Sequence, residues 1–210
     1  MVMTGRARAQ LMRAQVDELH PTQLTVGKYE VAVKRKALAT LSHDERNHMV
    51  ESHWFPGVIG PGNRPYIVDH HHLGLALHEE GIHSVWIMVL KDLRELPLKN
   101  FWVVMDHHHW AHPYDHQGIR RDFASIPGHL SHLQDDPYRS LAGEVRHAGG
   151  FAKDVTPFAE FLWADYFRSR IPLELVQEHF NHALKKALTW ASSQEAHYLP
   201  GWSGSLEPGT

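Results

Sequence analysis

The chain has 210 residues, a formal net charge of −3 and no cysteine, which excludes disulfides and thiolate metal sites. Its basic runs are short (Lys34-Arg35-Lys36 and Arg120-Arg121), a charge pattern that disfavours duplex DNA as a partner. A 42% hydrophobic content with ordinary Gly (15) and Pro (12) excludes a low-complexity chain and fits one large domain, or one domain with a helical extension. The unusual residue is histidine, present 20 times and clustered internally. Met1 to Gln10 is polar and basic with no apolar core, so it does not read as a secretory signal. No apolar run reaches the length of a membrane span, and the expected location is the cytoplasm.

In chain order, residues 1–13 read as a loose or helical arm, with a first strand near Gln15 to Glu18. Pro21 disfavours helix at His20 and makes His20-Pro21-Thr22 a turn. A helix is expected from Thr25 to about Thr40, with Tyr29, Val33, Lys36 and Ala37 near one side. Ser42-His43-Asp44-Glu45 has the capping-box form and opens a second helix, to about Ser52. Val58-Ile59 is a short strand, and Pro61-Gly62-Asn63 turns into a strand over 65–69. Asp69 is the expected N-cap of a helix over 70–80, on which Leu73, Ala76 and Leu77 recur at helical spacing, with Gly81 as its C′ residue. The unbroken apolar run Val85 to Leu90 predicts a strand buried on both faces.

From Leu96 the pattern turns helical. Leu98, Phe101, Trp102, Met105, His108, His109 and His112 share one face, and Pro113 ends the helix. Residues 114–137 form a polar connection. Helices are expected at 138–147, at 157–169 (entered through Thr156-Pro157) and over about 172–192, the last with Leu173, Val176, Phe180, Leu184 and Leu188 as its buried stripe. Gly201 to Thr210 reads as a disordered tail. The fold class is therefore α+β: a small mixed sheet with helices over 14–95, then an all-helical part over 96–195, with 200–210 as the tail.

Two histidine clusters carry candidate chemistry. Asp69-His70-His71-His72 lies where a strand meets a helix N-terminus, whose N–H groups and partial positive charge favour phosphate. Imidazoles there can donate to phosphate or act as acid or base, and Asp69 can hold a cation that holds the phosphate. The alternative reading is an Asp-capped helix with polar first-turn residues. In the second cluster, His108 and His112 (i, i+4) and His109 and His112 (i, i+3) could converge on one metal ion, or be histidines satisfied by backbone and water. Glu30 and Lys34, also i, i+4, are either a surface ion pair or residues that reach a phosphate.

A strand followed by Asp69-His70-His71-His72 and a helix resembles the ParB/sulfiredoxin superfamily, and within it the ParB-like nuclease branch. Val16-Asp17-Glu18-Leu19-His20-Pro21, Thr25-Val26-Gly27, Tyr138-Arg139-Ser140-Leu141 and Pro157 to Asp165 extend the resemblance over most of the chain. His70 stands where related motifs carry glycine. Without cysteine, the chain lacks the cysteine chemistry of the sulfiredoxin relatives. The resemblance implies a ParB/sulfiredoxin-like fold and an enzyme that cleaves phosphate esters or anhydrides. In that reading Asp69, His71 and His72 are catalytic, and His70, Glu30 and Lys34 bind nucleotide or phosphate. Mg, Mn or Zn and ATP, ADP or CTP are candidate ligands, with a small nucleotide or phosphate ester as substrate. Some relatives resemble amino-acid kinases, so phosphorylation of a free small molecule is a second reading. A nucleotide-responsive partition-type module, or a histidine-rich protein binding metal at His108, His109 and His112, is the non-enzymatic one.

Overall fold

The computed structural model describes residues 10–204, so the expectations for 1–9 and 205–210 lie outside the described residues. Two compact units are present, and neither is contiguous in sequence. The first takes the described residues up to Leu24, then Ala32–Pro113 and Arg121–Leu133; the second takes Thr25–Val31, Tyr114–Arg120 and the described residues from Gln134 onward. The helix after residue 95 thus belongs to the first unit, and the division does not run at 95/96.

The first unit holds the strands β1 (Gln10–Gln15), β3 (Trp54–Gly60), β4 (Arg64–Ile67) and β5 (Ser84–Asp92). They form one mixed sheet in the order β1-β5-β3-β4. β1 and β4 are antiparallel to their neighbours, and β3 and β5 are parallel. The first strand therefore precedes the expected 15–18, where Val16–Glu18 instead makes a 3-10 turn. A helical arm is excluded for residues 10–13, which pair with β5. β5 alternates in burial rather than being buried on both faces: Val85 and Ile87 are in the core, while Trp86 and Met88 are half-buried. Its apolar run reflects a strand covered well on one face and partly on the other.

The pairing of β3 with β5 shifts register between Gly57 and Val58, where Leu90 of β5 is the extra residue. A Cβ on Gly57 would lie 2.9 Å from Ile87 Cγ2 and 3.0 Å from Tyr66 O, so a larger residue cannot sit between these neighbours without displacing them. Phe55, Ile59, Ile67, Leu77, Ile87 and Leu130 are among the fully buried side chains of this unit. Four helices accompany it: α1 (Lys28–Thr40, whose first turn belongs to the second unit), α2 (His43–Ser52), α3 (His71–Glu79) and α4 (Leu98–His107). The capping box at Ser42 forms in full, with Ser42 and Glu45 each bonding the other's backbone N–H. On α1 the expected face is reversed: Val31 and Leu38 are buried, whereas Tyr29 and Val33 are exposed.

The second unit begins with a short parallel pair, β2 (Thr25–Val26) with β6 (Gln134–Asp135). Its helices are α5 (Pro137–His147), α6 (Ala159–Arg168), α7 (Leu173–Glu178) and α8 (Phe180–Ala191). The expected single helix over 172–192 is broken at His179, whose φ of −135° and ψ of 52° are not helical. The buried stripe of α8 is Ala183, Ala187 and Ala191, with Leu184 and Leu188 only packed against its edge. Small residues at that spacing let helices approach closely around Trp163, Phe167 and Leu141. α6 starts after Phe158 in a left-handed conformation (φ 59°), so Pro157 precedes the helix instead of entering it. Residues 201–204 are ordered: Trp202 bridges to Phe151, and Gly201 O accepts from Ala152 N–H at 2.7 Å.

Asp136 fastens this unit. It caps α5 by accepting from Tyr138 N–H at 3.1 Å and receives Arg168 Nη2 at 2.5 Å while only 2% exposed. Burial pushes the Asp136 carboxyl above its ordinary pKa, and the Arg168 guanidinium opposes that push. Arg168 also pairs with Asp165. Asp136→Ala is expected to cost about 3 kcal/mol, the low end for breaking a buried pair because Asp165 still accompanies the guanidinium. Asp136→Asn should cost less by keeping the cap; chemical denaturation of both variants measures the difference.

Candidate functional site

The Asp69 motif sits where β4 runs out and α3 begins. Asp69 is exposed, and its Oδ1 accepts from His70 N–H at 2.6 Å. The N-cap is His70, not Asp69, and it is left-handed, with φ 65° and ψ 22°. Few residues other than glycine adopt that conformation readily, although histidine is among the more tolerant. The position calls for a positive φ, which glycine would adopt without strain. The His70 ring meets Phe55 edge-on, with centroids 5.6 Å apart.

After this kink the helix turns inward, and His71 and His72 are buried at 4% and 9% exposure. His71 Nε2 lies 3.1 Å from Thr22 N and 3.4 Å from Thr22 Oγ1. A backbone N–H can only donate, and the Thr22 hydroxyl gives its proton to Ile67 O at 2.9 Å. His71 Nε2 is therefore a lone-pair acceptor, and a neutral ring carries its proton on Nδ1. This nitrogen of a candidate catalytic histidine holds the bend at Thr22 in place.

Neighbouring groups absent from the sequence-based candidates complete the surroundings. His20 N–H donates to Pro65 O and His20 O accepts from Ile67 N–H, aligning residues 20–22 beside β4. The His20 ring packs on Tyr66 at 4.9 Å. Burial lowers the His20 pKa, and the charges of Arg64 and His129 lower it further, favouring neutral imidazole. Burial raises the Tyr66 pKa, which a hydrogen bond from Arg64 partly offsets. The signal for these residues was the strand propensity of Arg64 to Ile67 together with an unassigned His20, too little to bring them together from sequence.

The second histidine cluster does not assemble. α4 ends at His107; His108 is its C-cap and His109 is left-handed at φ 55°. Helical spacing therefore does not apply to His112, whose N–H donates to Thr22 O at 2.8 Å. His108 is exposed and stacks on Trp110 at 4.3 Å with Lys91 Nζ 3.4 Å away; slight desolvation, then the charges of Lys91 and His107, lower its pKa. Among the described residues, the ligand atoms of His108, His109 and His112 are not within 4.8 Å of one another as a set. Asp115, three residues after His112, belongs to the second unit and accepts there from the backbone N–H groups of Gln117 and Ile119. Glu30 and Lys34 lie on α1, Glu30 in the second unit beside Gly143 and Lys34 in the first.

Comparison with known proteins bears on this arrangement of strand, left-handed residue and helix. The family model described as "Putative ParB-like nuclease" matches residues 12–169. The chain belongs to the ParB-like nuclease family. It is also similar to a solved structure, the crystal structure of protein Atu1540 from Agrobacterium tumefaciens, at 44% identity and a TM-score of 0.86, over 93% of this chain and 98% of that one. No curated protein matches it. Among the described residues, no helix is long and apolar enough to cross a membrane.

His70→Gly should leave stability within about 1 kcal/mol, because relief of the left-handed backbone is offset by glycine's larger unfolded-state entropy. His70→Val, β-branched at a positive φ, should lose about 1–2 kcal/mol. Thermal melts of the pair test the backbone reading. His71→Ala should lose about 1–3 kcal/mol by leaving the buried Thr22 N–H without its acceptor. Amide exchange at Thr22 should accelerate in that variant and not in His70→Gly.

Proposed function

We propose that this ParB-like nuclease family member cleaves a phosphate ester or anhydride of a small nucleotide at the Asp69 motif. The observation that carries the reading is the exposed Asp69 carboxylate set beside the N-terminus of α3 by the left-handed His70. The first intrahelical bond of α3 runs from Gly74 N–H to His70 O, so the earlier N–H groups precede the ladder, at the helix's partly positive end. A phosphate there meets donors in front and a carboxylate at the side. The negative net charge favours a small ligand over long duplex DNA.

Asp69 offers Oδ2, since Oδ1 already accepts from His70 N–H, and it joins no three-ligand group among the described residues. This suits Mg²⁺ or Mn²⁺, which are commonly held by one carboxylate with substrate phosphates and water completing the shell. When bound, such an ion neutralises phosphate charge. Asp69 would either hold the ion or, without one on it, take a proton from an attacking water, while buried His71 and His72 fix the start of the helix. The same site would serve transfer to a small hydroxyl compound, and product analysis distinguishes transfer from hydrolysis.

The test is release of phosphate, or of ADP or AMP, from ATP, ADP and CTP with Mg²⁺ or Mn²⁺. Asp69→Asn, exposed and nearly isosteric, should keep the native melting temperature and lose about 10²–10⁴-fold in rate, the range for a positioned acid–base group. Turnover unaffected in Asp69→Asn would remove the motif from the chemistry.

A further inference from the structure

Among the described residues, one group of side chains, in the first unit, has the composition and closeness of a metal site. Asp17, His78 and His129 each offer one ligand atom, and these atoms all lie within 4.8 Å of one another. They are far apart in sequence and lie on three separate elements. Asp17 is on the 3-10 turn after β1, His78 is in the last turn of α3, and His129 immediately precedes the 3-10 turn Leu130–His132.

We infer that Asp17, His78 and His129 form a binding site for a divalent transition metal such as Zn²⁺, distinct from the Asp69 motif. Two imidazoles and one carboxylate are a borderline-hard ligand set that suits Zn²⁺ and its neighbours and leaves further positions for water or a ligand. Tetrahedral zinc with bonds of about 2.0–2.1 Å sets its ligand atoms about 3.3 Å apart, within the 4.8 Å that bounds this group, so the His78–Asp17 pair opens slightly while His129 closes in. His78 Nδ1 and Asp17 Oδ1 are already 2.8 Å apart, and the ion takes the place of the proton between them. The His129 ring lies 4.9 Å from that of His78, nearly perpendicular.

Two features favour a built site over a surface ion pair. The first is rigidity: each ligand sits next to, or on an element with, side chains that are almost fully buried. Val16 adjoins Asp17, Leu77 adjoins His78, and Leu130 adjoins His129 and packs toward α3 at Gly74, where an added Cβ would meet it at 3.1 Å. The second is orientation. Ser131 N–H donates to His129 Nδ1 at 3.1 Å, and Ser131 Oγ lies 2.7 Å from the same nitrogen, which holds the ring in one orientation. Fixing a ligating ring in this way is what outer partners of metal-bound histidines do. His132, with its ring 6.0 Å from that of His129, or water can complete the shell.

The site does not rest on the phosphoester reading. His78 lies seven residues beyond His71 on α3, about 10 Å along the helix axis.

The experiment titrates the full chain, stripped with chelator, first with Co²⁺, following its visible d–d absorption, and then with Zn²⁺ in competition. His78→Gln, His129→Gln and Asp17→Asn are run beside His108→Gln, because a chain with 20 histidines binds metal loosely elsewhere. The expected result is one tight equivalent with a tetrahedral or five-coordinate spectrum. It should be weakened at least about 100-fold in each of the three variants, since even an outer-shell partner is worth about 10–100-fold, and kept in His108→Gln. Asp17→Asn alters an exposed side chain, so its circular dichroism should match the parent and keep the comparison valid if a histidine variant misfolds. Equal binding in Asp17→Asn and the parent, or equal loss in His108→Gln, would overturn the assignment and leave adventitious histidine binding only.

Discussion

Thr22 commits each of its polar atoms, and the first unit converges on it. Its N–H donates to His71 Nε2, its hydroxyl to Ile67 O, and its carbonyl accepts from His112 N–H. One residue, 2% exposed, thereby joins the end of β4, the start of α3 and the segment after α4. Unmade hydrogen bonds in such a place are costly, so the three segments are held in one arrangement. The left-handed turn at His70 follows from that geometry. β4 must end and α3 must begin within three residues, and only a positive φ turns the chain so sharply while keeping His71 against Thr22.

Where local chemistry decides the structure, the sequence was readable. Ser42 and Glu45 form their box, Gly81 and Gly149 take positive φ at helix ends, and the strand–helix junction at Asp69 falls where β-formers give way to helical spacing. Where distant partners decide, it was not. β2 exists because Thr25 and Val26 pair with residues more than 100 positions later, and nothing within a short window signals that. α4 stops at His107 with no glycine or proline to mark it, because Trp110 stacks on His108 and His112 is drawn to Thr22. The break at His179 likewise lacks a local breaker. The family was legible from motif spacing, but the actual N-cap was not, because Asp69 is the better N-cap by composition and His70 holds the place by backbone conformation.

The histidine clusters show the same division. Runs such as Asp106 to His109 are conspicuous in the sequence, yet adjacent residues diverge once the helix ends. Asp17, His78 and His129 are unremarkable singly and come together only through packing of the short turns on α3. In the Asp69 motif itself, the three consecutive imidazoles have three different situations: a ring on Phe55 at the left-handed residue, a buried acceptor for Thr22, and a buried neighbour at 9% exposure. Identity in sequence does not carry over to identity of role.

The interleaving of the two units has a consequence for how the protein is made. The second unit draws on three stretches, and its parallel pair needs both Thr25–Val26 and Gln134–Asp135. On the ribosome, Thr25 and Val26 emerge long before their partners and cannot enter their sheet until the chain has been extended past residue 135. The first unit is also incomplete until Leu130 has appeared, because it is a fully buried member of that core. Contacts so far apart in sequence are slow to form and leave apolar segments uncovered meanwhile. Neither unit can be cut out as a single contiguous fragment, so a C-terminal truncation at any point before Leu133 removes part of both.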